Sequence, residues 1–135
     1  MVGWCNTGLP FFIGCSMANT LNLQFSWIWQ SGDYDRQQGN PISLQIDCTG
    51  AIRVSAVATI GTVEETLSKG DISTIGYVII RNLDSTNYVT VGTTTSQRGI
   101  KIEPGEFAVF RAAANNVYIA ADTASVNVAY EMYSD

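Results

Sequence analysis

The first regular pattern in the chain is an alternation. Leu21, Leu23, Phe25, Trp27 and Trp29 are apolar, while Asn22, Gln24 and Ser26 between them are polar, with Ile28 the departure. A period of two predicts a half-buried strand with both tryptophans on its dry face. Residues 31–41 (SGDYDRQQGNP) are polar and rich in turn formers, which predicts a loop. Ile42, Leu44, Ile46 and Cys48 then alternate with Ser43, Gln45 and Asp47, and after Thr49-Gly50 a third strand carries Ile52, Val54, Ala56, Ala58 and Ile60 on one side.

One helical signal follows. Thr62-Val63-Glu64-Glu65 has the spacing of a capping box, and Leu67, Lys69 and Gly70 come next. The spacing predicts a helix of one or two turns, with Glu65 and Lys69 paired and Val63 and Leu67 pinned to the sheet. Six further strands are predicted at 75–81, 87–91, 99–102, 106–111, 117–120 and 125–133, joined by short links. Asp84-Ser85-Thr86-Asn87 offers side-chain oxygens to the local backbone, and Glu103-Pro104-Gly105-Glu106 places Pro and Gly as a type II turn requires. About nine strands and one helical turn give an all-β chain: an antiparallel β-sandwich or jelly-roll-like barrel. Its expected core is Leu23, Phe25, Ile46, Val54, Ile79, Val89, Val109, Ile119 and Val128.

Length and composition suit one folded domain. The chain has 135 residues, 46% apolar and 14% charged, which is far from the signature of disorder. Residues 17–135 form the expected single β-sandwich domain, because Met17 stands just before the alternation begins. Residues 1–16 (MVGWCNTGLPFFIGCS) are an N-terminal extension or arm. They lack the basic start of a signal peptide, and Gly8, Pro10 and Gly14 break their apolar run. Two readings stand: an extension outside the domain, as an upstream start codon would produce, or an arm that packs elsewhere. The three cysteines, Cys5, Cys15 and Cys48, show no C-x-x-C spacing. Cys48 reads as a small buried hydrophobe, and Cys5 and Cys15 as free thiols that an oxidising medium would allow to pair.

Charge and residue types then narrow the function. The net charge is -5, and the seven cations are scattered, whereas a nucleic-acid surface needs them clustered. No stretch approaches the ~20 apolar residues of a membrane-spanning helix, so no membrane partner is expected. With no histidine at all, the usual Ser and Cys triads and imidazole zinc sites are excluded. Carboxylate pairs remain as acid and base: Asp33 with Asp35, Glu64 with Glu65, and Glu103 with Glu106. They sit at turns and read as solvated side chains, and Asp33-Tyr34-Asp35 lacks the Gly and distal Glu of a calcium loop. No catalytic residue, metal ligand or cofactor site is therefore expected, and the chain is not read as an enzyme.

The segments MANTLNLQFSW, IGTVEETLSKGDI, GYVIIRNLDSTNYVTVG and IEPGEFAVFRAAANNVYIAADTASVNVAYEMY, spanning residues 17–133, resemble small virion structural proteins of tailed bacteriophages. The most specific elements are Asn82-Leu83-Asp84 with Asn87-Tyr88-Val89, and the Pro104-Gly105-Glu106 turn. The resemblance implies a β-sandwich that coats or reinforces a viral particle. Its partners would be the major capsid protein, for a decoration or cement protein, or tail proteins, for a tail or neck accessory. It would be assembled into virions in the host cytoplasm. The apolar extension departs from that family.

A decoration protein needs anchors, and Trp4, Phe11 and Phe12 on the extension are the candidate interface residues, since large aromatics dominate interface energetics. The competing reading has them cover an open end of the chain's own sandwich. A homo-oligomer, with a trimer as the expected form, follows because closed association matches symmetric sites and covers strand edges. The second functional class is a glycan-binding module for host adhesion, with Trp27, Trp29, Tyr34 and Tyr88 as stacking faces. That reading needs these aromatics exposed beside a polar loop.

Overall fold

The computed structural model describes residues 19–32, 35–48 and 50–135. The chain divides into two compact units, Met1–Asp47 and Cys48–Asp135. All regular structure among the described residues is strand, and the chain is all-β with antiparallel sheets in a sandwich-like arrangement.

The first unit holds two ribbons. β1 (Asn19–Phe25) pairs with β4 (Ile42–Cys48), and β2 (Ile28–Ser31) pairs antiparallel with β3 (Asp35–Gln38), with Trp29 opposite Gln37. Leu21, Leu23 and Ile46 are buried, and Phe25 is half-buried. Two expectations are corrected here. The strand expected through Trp29 breaks at Ser26 and Trp27, and the stretch expected to be a polar loop contains β3. The break ends the alternation, so Trp27 and Trp29 leave the dry face and stand 50% and 54% exposed.

The second unit is a two-sheet sandwich. Its strands are β5 (Arg53–Ile60), β6 (Glu65–Thr66), β7 (Ile75–Asn82), β8 (Val89–Gly92), β9 (Ile100–Ile102), β10 (Phe107–Ala114), β11 (Tyr118–Ala121) and β12 (Val126–Ser134). One sheet has the order β10-β7-β12-β5 and the other β6-β11-β8-β9. Between them Ile75, Val78, Ile80, Val89, Val91, Val117, Ile119, Val126, Val128 and Met132 have no exposed surface. Burying each Val or Ile contributes roughly 1.5–3 kcal/mol, so this layer is the main stabilising feature.

The expected core is right where the period is unambiguous and displaced where it is not. Val89, Ile119 and Val128 are fully buried, and Val54 packs against the core from β5. Ile79 and Val109 instead lie half-buried on the opposite face, and Val78, Ile80, Ala108 and Phe110 fill the inner positions. From Ile75 to Ile80 the apolar residues fall on both parities, so alternation alone does not choose a face. Arg81 chooses it, because a guanidinium turned inward would be desolvated, and residues 79 and 81 share a side.

The expected helix at 63–68 is absent. Residues 62 and 63 form a bend, β6 pairs with β11, and the Leu67 amide donates to the Val117 carbonyl at 3.0 Å. A single helical turn is marginal on its own. Here the backbone gains sheet bonds, Glu65 Oε1 accepts the Gly61 amide at 2.8 Å, and Leu67 is buried while Val63 stands in solvent. Lys69 Nζ donates to the Ser73 carbonyl and not to Glu65. The expected type II turn is present: Gly105 has φ 77° and the Glu106 amide donates to the Glu103 carbonyl at 3.0 Å.

Candidate functional site

In the β10-β7-β12-β5 sheet, side chains that turn away from the core form a broad outer face. Strand register arranges it in rows. Phe107, Arg81, Ala129 and Val57 lie side by side across the four strands, and Val109, Ile79, Glu131 and Ser55 form the next row. Val57 is 67% exposed, Phe107 61% and Leu83 47%, so the face carries apolar groups in solvent among exposed polar ones, Ser55, Thr59 and Arg81. A shallow depression of about 420 Å³ lies among Ser55, Val57, Ile79, Arg81, Ala129 and Glu131.

Charges frame this apolar centre. Glu131 accepts from Arg53 Nη2 at 2.9 Å and from the Tyr133 hydroxyl at 2.5 Å. The Tyr133 hydroxyl, and then Arg53, hold the Glu131 carboxyl below the usual carboxylate range. Burial and then the Glu131 contact push the Tyr133 phenol up, and Glu131 raises Arg53. Arg53 also lies over the Tyr133 ring at 5.9 Å. Arg111 pairs with Asp135 and lies over the Tyr77 ring at 5.4 Å. Arg81, in the centre, has no ion-pair partner among the described residues.

This arrangement suits docking. Glu131, the carboxylate lining the depression, is held ionised, and a general acid needs the opposite shift. Exposed apolar groups beside a guanidinium with no ion-pair partner among the described residues are instead what a contact surface offers.

The residues singled out in the sequence are dispersed. Trp4, Phe11 and Phe12, together with Cys5, Cys15, Asp33 and Tyr34, lie outside the described residues. Cys48 is a free, half-buried thiol. Glu64 gathers the 94–98 loop, accepting from Thr95 Oγ1 at 2.8 Å and the Ser96 amide at 2.9 Å and pairing with Arg98. Glu103 pairs with Lys101, and Glu106 Oε2 accepts the Glu103 amide. Tyr88 carries the Lys101 ammonium over its ring at 3.9 Å, which occupies that face for stacking. Among the described residues, no three His, Cys, Asp or Glu side chains converge as metal ligands.

Trp27 and Trp29 present a different picture. Both indoles are exposed, and the Gly39 amide donates to the Trp27 carbonyl at 3.1 Å. A Cβ at residue 39 would overlap the Trp27 ring, so glycine there lets the indole lie against the backbone. The outer sheet face was the feature missed from the sequence. Its signal was the doubled apolar parity at Ile79 and Val109 beside Arg81 and Arg111.

Comparison with protein-family models, curated proteins and solved structures finds no match.

Proposed function

We propose that the protein is a structural component of a tailed-bacteriophage virion, a capsid decoration protein that reinforces the shell by non-covalent contacts. The observation carrying this reading is the exposed outer face with Val57, Phe107 and Leu83 around the unpaired Arg81. A rigid sheet face holds these groups in fixed register, and burying them against capsid subunits stabilises the assembled state by mass action. The partner is the major capsid protein; attachment to the tail or neck is the variant of the same reading. Trp4, Phe11 and Phe12 remain the proposed anchors of the extension. The test is to incubate the purified chain with particles lacking it, sediment them, and locate added density by electron microscopy. Saturable density at symmetric capsid sites supports the proposal, density at the tail or neck moves it there, and no binding overturns it.

Trp27 and Trp29 favour a second reading, a glycan-binding module for host adhesion. Two exposed indoles beside the polar 31–41 stretch are suited to stacking on sugar rings. Binding to host-surface polysaccharide that is lost on Trp29→Ala, with no affinity for particles, would replace the first reading by this one.

A further inference from the structure

We infer that β5 is a self-association strand: two copies pair their β5 strands antiparallel about a twofold axis at Val57, joining two four-stranded sheets into one of eight. This pairing belongs to the isolated protein and does not depend on the particle.

The argument starts from the edges of the second unit. An open strand edge pairs with other chains unless it is short, bulged, charged or covered. Three of the four edges are short or bulged. β6 has two residues and begins with Glu65, and β9 has three and centres on Lys101. β10 breaks its register between Arg111 and Ala114, where Ala113 takes φ 46°. On β5 the one such feature is the charge of Arg53 at its first residue. The strand pairs with β12 over eight consecutive residues without a bulge, contains no Pro, Lys or Glu, and among the described residues is bonded on that side only.

The side chains of β5 show the same opening. Val54, Ala56 and Ala58 face the core yet are only partly buried, while the inner residues on the neighbouring β12 are buried. Among the described residues the core layer thus thins towards this flank, and Val57 stands 67% exposed on the other side.

A second copy fits this strand by its own symmetry. Antiparallel pairing about a perpendicular twofold keeps inner residues on the inner side, so the register must join residues of equal parity. Centring it on Val57 sets Val57 against Val57, Ser55 against Thr59, Ala56 against Ala58 and Val54 against Ile60. Every cross-strand pair then joins apolar to apolar or hydroxyl to hydroxyl. The one charged residue of β5 is Arg53 at its start. In this register the two Arg53 residues lie roughly 27 Å apart at about 3.4 Å per residue, beyond screening range. Parallel pairing in register would instead set them side by side.

The test uses the full chain in analytical ultracentrifugation, with Val57→Lys and Val57→Glu variants run singly and as an equimolar mixture. The parent should be a dimer. Each variant alone should dissociate at least tenfold more readily, because like charges meet at the axis, and the mixture should restore the dimer, because unlike charges meet there. Circular dichroism checks that each variant is folded. A monomeric parent, single variants as associated as the parent, a trimer indifferent to both substitutions, or a mixture no more associated than its components would each overturn the pairing. If either variant fails to fold, hydrogen exchange of the parent decides. Slower exchange of β5 amides at high than at low protein concentration supports the pairing, and concentration-independent exchange overturns it.

Discussion

The side-chain amide of Asn82 donates to the Ile102 carbonyl at 3.1 Å, so a buried polar group at the end of β7 ties one sheet of the sandwich to β9 of the other. Asn82 has no exposed surface. Its Nδ2 also donates to the Asn87 carbonyl at 2.8 Å, and its Oδ1 accepts the Asp84 amide at 2.9 Å. One side chain thus satisfies three backbone groups and fixes the 83–88 turn where the chain crosses between sheets.

Asn82→Leu should therefore be strongly destabilising, although it places an apolar residue in an apolar site. It leaves the buried Ile102 carbonyl and the part-buried Asn87 carbonyl and Asp84 amide without this partner, at a cost of about 3 kcal/mol. Urea unfolding checks this. Asn127→Ala, which removes the exposed bond from Thr59 Oγ1 at 2.7 Å, should change stability by less than about 0.5 kcal/mol.

Acid should weaken the fold through two carboxylates. The Asn87 and Thr86 amides hold Asp84 below its ordinary value, and the Tyr133 hydroxyl and Arg53 do the same for Glu131. A depressed folded pKa means that the unfolded chain takes up protons first as pH falls. The stabilisation is then complete above the unfolded values of about 4 and is lost as pH drops through the lower folded ones. The urea midpoint should fall between about pH 4.5 and 3. Asp84→Asn should flatten that slope, and an unchanged slope would contradict the assignment.

The strands after residue 74 were legible in the sequence because turn chemistry bounded each one: the 84–87 turn, Pro104-Gly105 and the short polar links fall where β7 to β12 end. Two features were not legible, for a common physical reason. Ile79 and Val109 sit in runs apolar at both parities, and the face was decided by Arg81, a residue the alternation did not weigh. The Thr62-Val63-Glu64-Glu65 spacing favours a helix locally, but Glu64 and the backbone at Leu67 find partners more than 30 residues away, which no local pattern contains. The candidate face was hidden for the same reason, since it exists only once register brings Phe107, Arg81, Ala129 and Val57 into one row.

Glu64→Gln isolates that long-range contact. It keeps an acceptor for Thr95 and Ser96 but removes the charge facing Arg98. The exposed part of this network limits the loss to about 1 kcal/mol, and hydrogen exchange should quicken at 94–98 while β7 and β12 stay protected. No local change in exchange would mean that the backbone alone holds the loop.

The outer face and the N-terminal extension are the two proposed attachment routes, and substitution separates them. Phe107 and Leu83 are exposed and lie outside the core, so Phe107→Ser with Leu83→Ser should leave the unfolding free energy within about 0.5 kcal/mol of the parent. If the face docks on the shell, the same pair should weaken particle association at least tenfold, because exposed apolar groups that become desolvated at an interface carry a large share of its energy. Replacing Trp4, Phe11 and Phe12 by Ala probes the extension, where each desolvated aromatic anchor is worth on the order of 2 kcal/mol. Loss with the first set alone assigns attachment to the sheet, and loss with the second alone assigns it to the extension. Additive loss means both surfaces contact the shell, and retention of full binding by both variants would rule out both routes.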